Sequence, residues 1–143
     1  MTERTAEVTW QGSLLEGSGT IDRVGSGAFG PLDVTWASRA EEPAGRTSPE
    51  ELIAAAHASC FSMALSHALA QGGTPPERLS TTATVTFVPG TGITKVALTV
   101  RGSVPGLDEA AFRDKAEGAK AGCPVSKALA AVPEITLDAA LAS

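Results

Sequence analysis

The chain has 143 residues and a mass of 14.5 kDa, with two Cys, two Trp, four Phe and no Tyr. That size fits one compact domain, residues 1–143, and excludes tandem-domain and repeat architectures. A formal charge of −5 and a pI near 5.0 argue against a nucleic-acid partner, because such binders rely on clustered Lys and Arg against phosphate.

Met1 to Trp10 carries two acids and no apolar core, so no N-terminal export signal is expected. Ala6, Val8 and Trp10 alternate with polar residues, as do Leu32, Val34 and Trp36, the period-two pattern of half-buried strands. Ser18 to Val24 reads as a weaker strand between them. Gly25-Ser26-Gly27-Ala28-Phe29-Gly30 satisfies the dinucleotide fingerprint by letter, but that motif must follow a strand and open a helix. Here Pro31 and another strand come next, so a Gly-rich turn is expected.

Ser48-Pro49-Glu50-Glu51 is a helix start: Ser48 can cap, Pro49 suits the first helical position and Glu51 closes a capping box. Gly72-Gly73 followed by Pro75-Pro76 ends the helix, giving one helix from about Pro49 to Gln71. Leu79, Thr81, Ala83, Val85 and Phe87 then share one strand face, and Val96, Leu98 and Val100 share another. Pro89-Gly90-Thr91-Gly92 lies between them, as in a hairpin. Asp108 caps a charged surface helix to about Ala121, Cys123-Pro124 opens a short helix through Ala131, and Ile135, Leu137, Ala139 and Leu141 form a closing strand. Strands, helix, hairpin, helices and strand in that order make an α+β fold.

The central helix holds the most unusual segment. Leu52 to Ala70 is nineteen residues without Asp, Glu, Lys or Arg, seven of them Ala, three Ser and two His. Its length approaches that of a membrane span, but Ala, Ser and His gain little from lipid and the run has no basic flank. A soluble, cytoplasmic protein with no membrane partner is therefore expected. A helix apolar on every side must be buried on every side, and a chain this short buries only about 68% of its unfolded surface. A partner subunit is the natural cover.

Walker-type phosphate loops, HExxH, CxxC and GxSxG motifs do not occur in the sequence. Two cysteines remain as candidate chemistry. Cys60, in the middle of the long helix, reads either as a small buried hydrophobe or as a reactive thiol. Cys123 precedes Pro124 at a helix start, where unpaired amides favour a thiolate. In a cytosolic protein such a pair serves catalysis or metal binding more often than a permanent crosslink. His57, Cys60 and Cys123 could share an ion. His67 lies about 10 Å along the axis from Cys60 by helical rise, leaving fewer than the four ligands of structural zinc. His57 and His67 are therefore expected to be satisfied packing residues.

Two blocks carry a resemblance. Thr47-Ser48-Pro49-Glu50-Glu51-Leu52-Ile53-Ala54-Ala55-Ala56-His57-Ala58-Ser59-Cys60-Phe61-Ser62-Met63-Ala64-Leu65-Ser66 and Ala119-Lys120-Ala121-Gly122-Cys123-Pro124-Val125-Ser126-Lys127-Ala128-Leu129 resemble the osmotically inducible protein C branch of the family that also contains the organic hydroperoxide resistance proteins. The resemblance extends to the ending Glu134-Ile135-Thr136-Leu137-Asp138, with Ser48 standing where the family often has Asn; both cap well. It implies an α+β OsmC/Ohr-like fold, with antiparallel sheets wrapped around two central helices in an intertwined homodimer. It also implies a thiol-dependent peroxidase of organic hydroperoxides, active in oxidative or osmotic stress defence, with no metal or prosthetic group and a dithiol reductant of lipoyl type. By matching position, Cys60 is the peroxidatic cysteine, Cys123 the resolving one, Glu50 the active-site glutamate and Arg39 the arginine, with Arg46 close by in sequence.

On that resemblance, Arg39 would supply positive charge to a buried Cys60, and Glu50 would orient its guanidinium by a two-pronged hydrogen bond. Glu50 and Cys60 are ten residues apart, about 15 Å along a helix, too far to share one arginine. Two antiparallel copies of the helix crossing near Ala55 would bring Glu50 of one level with Cys60 of the other, giving composite sites. Phe61 and Met63 are expected to line an apolar peroxide pocket. A non-catalytic zinc or small-ligand binding dimer with the same fold is the alternative, and a structural stress protein with inert cysteines is a third reading.

Overall fold

A computed structural model describes residues 1–142. The chain divides into two compact units, Met1–Leu52 and Ile53–Ser143. The first holds β1 (Ala6–Gln11), β2 (Ser18–Val24), β3 (Leu32–Val34) and the short helix α1 (Trp36–Ala40). The second holds β4 (Arg78–Val88), β5 (Gly92–Ser103), α3 (Glu109–Gly122), α4 (Pro124–Ala128) and β6 (Glu134–Leu141); the long helix α2 (Pro49–Gln71) begins in the first unit and continues into the second.

In the first unit, β1, β2 and β3 form an antiparallel sheet in that order. β3 stops two residues before Trp36, which instead opens α1. Thr35 takes an extended cap conformation, its hydroxyl accepts from Ser38 N–H, and the Ser38 hydroxyl accepts from Thr35 N–H. A reciprocal capping box thus outcompeted the alternating pattern that places Trp36 in a strand. Gly25 to Gly30 forms a turn between β2 and β3 and opens no helix; positive φ at Gly27 (75°) and Gly30 (120°) explains its glycines. The apolar residues of β1 are not half-buried: Val8 is 59% exposed and Trp10 40%. Among the described residues of the first unit nothing covers the face on which period-two alternation places them.

In the second unit the sheet order is β4-β5-β6. β4 and β5 are the expected antiparallel hairpin, whereas β6 runs parallel to β5, pairing Leu137 with Leu98 and Ala139 with Val100. Parallel pairing needs a long crossover, and α3 with α4 supplies it. The core is built on β5: Leu98, Val100, Phe112, Ala116, Ala119 and Ala139 pack with Phe61, Leu65 and Leu69 of α2. Gly102 lets the Phe112 ring lie directly on the strand, since a Cβ there would come within 2.7 Å of it. Phe112→Ala should therefore leave a void that the strand cannot collapse into, at a cost of about 3–5 kcal/mol. Chemical denaturation with an unchanged m-value would read this loss.

Beyond Glu50 in its first turn, α2 is buried along a single stripe, His57, Phe61, Leu65 and Leu69, each four residues after the last. Its other faces are half-buried or exposed, and Met63 is 72% exposed. Among the described residues this is also the one helix long and apolar enough to cross a membrane. Phe61, Leu65 and Leu69 of this helix nonetheless pack into the core of the second unit.

Candidate active site

Glu50 and Arg39 meet because the segment joining α1 to α2 is stitched to the first unit. Thr47 N–H donates to Asp33 C=O (3.0 Å), and the Ser38 hydroxyl, buried under α1, donates to Thr47 C=O (2.9 Å). Ser48 then caps α2, its hydroxyl accepting from Glu51 N–H at 3.1 Å. Glu51, expected to complete a capping box on Ser48, instead accepts from the Thr47 hydroxyl at 2.8 Å. That leaves Glu50, 6% exposed, facing Arg39 in the last turn of α1. Arg39 Nε–H donates to both carboxylate oxygens, at 2.8 and 3.2 Å. The arginine thus stands on a helix, with its side chain one-third exposed. Arg46 is exposed on the connecting segment.

In the second unit α4 brings the two cysteines together. Cys60 and Cys123 are free thiols, 63 residues apart in sequence, with their sulfurs 2.9 Å apart and sharing a hydrogen bond. Cys123 is fully buried; it ends α3 and caps α4, and Pro124 holds the first position of α4. Burial alone would push the Cys123 thiol up. The hydrogen bond with Cys60, the Ser126 and Val125 N–H groups and the Ser126 hydroxyl outweigh burial, and its net shift is downward. Cys60 moves the other way, pushed up chiefly by burial and then by its hydrogen bond with Cys123. Of the two thiols, Cys123 is therefore the one favoured to ionise first.

His57 and Ser126 complete this cluster. His57 is fully buried one turn before Cys60, with Nε2 2.7 Å from the Ser126 hydroxyl. Burial holds its ring below the ordinary histidine range, so the imidazole is neutral. It is only half satisfied, not fully paired as a packing histidine should be: Nδ1 is buried without a hydrogen-bond partner. His67 is exposed rather than packed. Phe61 lies wholly in the core, whereas Met63, with Ser62, Ser66, His67 and Leu79, borders an open groove of about 600 Å³. Among the described residues no group of three or more His, Cys, Asp or Glu is arranged to hold a metal. Ser126 was legible in principle: it is the third residue of the α4 helix that Cys123 caps, the position from which a side chain reaches back to the cap.

Comparison with known proteins points to one family. A family described as "OsmC-like protein" matches residues 42–138. The protein named peroxiredoxin OsmC of Escherichia coli (strain K12) is 43% identical over 143 residues, covering 98% of this chain and 97% of that one. Its namesake from Shigella flexneri gives the same values. Among solved structures, the organic hydroperoxide resistance protein OhrB of Bacillus subtilis has a TM-score of 0.64 at 25% identity, covering 96% of this chain and 98% of its own. An organic hydroperoxide resistance protein from Elizabethkingia anophelis has a TM-score of 0.70 at 23% identity over 99% of both chains.

Proposed function

Because this chain belongs to the OsmC-like protein family, we propose that it is a single-domain, thiol-dependent peroxidase that reduces organic hydroperoxides to alcohols through Cys60 and Cys123. The observation that carries this reading is the pair of free sulfurs 2.9 Å apart, one of them on a helix whose start carries the Arg39–Glu50 pair. The thiolate of Cys60 attacks a peroxide oxygen and the O–O bond breaks. The alcohol leaves with a proton, and Cys60 is left as a sulfenic acid. Cys123 then condenses with it: an S–S bond forms, the S–O bond breaks, and water departs. An external dithiol, in our reading of lipoyl type, reduces the disulfide by exchange.

Because burial raises the Cys60 thiol, its ionisation calls for a cation, and Arg39 held by Glu50 is the candidate. Ten residues of continuous α2 separate Glu50 from Cys60, about 15 Å by helical rise. The reading therefore places Arg39 and Glu50 of one copy beside Cys60 of a second, in a homodimer with two composite sites. The uncovered faces of α2 and β1 support such a partner. The protein is soluble, and we place it in the cytoplasm, where free thiols persist.

Counting free thiols after one equivalent of an alkyl hydroperoxide tests the reading. Two thiols per chain should disappear rapidly, with or without chelator, and none in Cys60→Ser. Thiols that stay free refute it, and thiols masked until chelator is added favour the zinc-binding alternative.

A further inference from the structure

α4 meets α2 through polar side chains. It is five residues long, too short to hold its own place, and its one buried residue is Ser126; Pro124, Lys127 and Ala128 are exposed and Val125 is half-buried. The backbone bonds at its start, Cys123 N–H to Ala119 C=O and Lys127 N–H to Cys123 C=O, join it to its own chain neighbours and not to α2. Cys123 and Ser126 stand three residues apart, and so do His57 and Cys60 on α2. The two pairs meet in opposite order, as two rungs. Cys123 faces Cys60 with 2.9 Å between sulfurs, and Ser126 faces His57 with 2.7 Å between Oγ and Nε2.

The reaction treats the rungs differently. The sulfur contact is broken when Cys60 becomes a sulfenic acid, whereas the His57–Ser126 bond takes no part in any bond change. His57 is fully buried with Nδ1 unpaired, a cost that an apolar side chain would not carry, so what a histidine contributes at this position is Nε2. We propose that the His57–Ser126 hydrogen bond is a register tie. It holds α4 on α2 so that Cys123 stays within reach of Cys60 through the sulfenic stage, and it thereby sets how much sulfenic acid closes to the disulfide. The remainder meets a second hydroperoxide, which transfers an oxygen atom to sulfur, leaves as a second alcohol and converts Cys60 to sulfinic acid. His57 and Ser126 are positioning residues that act through the placement of Cys123.

The tie rests on the peroxidase reading for its purpose, and its first test does not. The reduced protein is equilibrated with glutathione disulfide and its free thiols are counted, which gives the effective concentration of the two sulfurs for each other without peroxide. Ser126→Ala and His57→Leu should each lower it about tenfold, the effect of losing one buried hydrogen bond whose partner is left unpaired. The double variant should fall no further than either alone. It should also unfold at a temperature near the parent's, since replacing both partners by apolar groups leaves no unpaired rung. His57→Gln, whose amide reaches Ser126 from the place of Nε2, should recover most of the loss. With an alkyl hydroperoxide, the fraction of Cys60 carried to sulfinic acid per turnover, read by intact mass, should rise about tenfold in Ser126→Ala, the same loss of one hydrogen bond. Ser126→Ala and His57→Gln carry the test should the leucine variants fail to fold. An effective concentration or a sulfinic acid fraction unmoved by Ser126→Ala, or losses that add in the double variant, overturns the proposal. Absence of any peroxide-driven thiol loss in the parent overturns the peroxidase reading instead and leaves the glutathione result standing.

Discussion

Cys60→Ser should abolish hydroperoxide turnover, by about 10³-fold or more, since no other group can take over once a covalent nucleophile is removed. Cys123 is 2.9 Å away and its thiol is shifted down, yet it is fully buried and so denied access to peroxide. Cys60 retains some exposure. Cys123→Ser should separate the steps. The first equivalent of peroxide is still consumed, but turnover with a dithiol stops and Cys60 proceeds to sulfinic acid. Intact mass after stepwise addition of peroxide reads both results: a gain of oxygen atoms in Cys123→Ser, and no change in Cys60→Ser. Normal turnover of Cys123→Ser with a dithiol would show that Cys123 is not needed for resolution.

Arg39→Met is expected to lower the rate of Cys60 oxidation by about 10²- to 10³-fold, the usual loss when a preorganised charge-stabilising donor is removed. The sign of the pH effect follows from the same argument. An opposite charge favours the thiolate, so without it the Cys60 midpoint rises, and the lost rate should be partly recovered in alkaline solution. Arg39→Lys keeps the charge but cannot reproduce the Nε–H contact to both Glu50 oxygens, and should fall between. Glu50→Gln, which keeps an acceptor for Arg39 and removes the charge, should cost less than Arg39→Met. Rates of thiol loss against pH for the four proteins check the order. An Arg39→Met rate equal to the parent's would remove Arg39 from the site.

Much of this was legible in the sequence, and the gaps have physical causes. The boundaries of α2 follow from Ser48, Pro49 and the glycine pair Gly72-Gly73, whose positive φ at Gly73 (87°) ends the helix. These are local effects, which a sequence records directly. The strand expected through Trp36 ended early because Thr35 and Ser38 compete locally for the backbone with equal directness. The parallel seating of β6 on β5 is a matter of topology, and periodicity constrains only the face of a strand. The nineteen-residue uncharged run was expected to be buried on every side, with a partner subunit as cover. Within one chain burial reaches only the stripe from His57 to Leu69, because periodicity reports that a face is apolar and is silent on which molecule meets it. Both cysteines could be singled out by helix position, whereas their joint environment could not. The Ser126 and His57 contacts depend on α4 lying against α2, a non-local arrangement.

The most direct measurement of the shared site is the activity of a mixed dimer. Cys60→Ser and Arg39→Met chains, each inactive alone, are co-expressed with different tags and the heterodimer is purified through both. If each site draws its sulfurs from one chain and its Arg39–Glu50 pair from the other, the heterodimer holds one complete site and should show about half the parent activity per dimer. A heterodimer no more active than either variant alone would place all four residues in one chain and contradict the account.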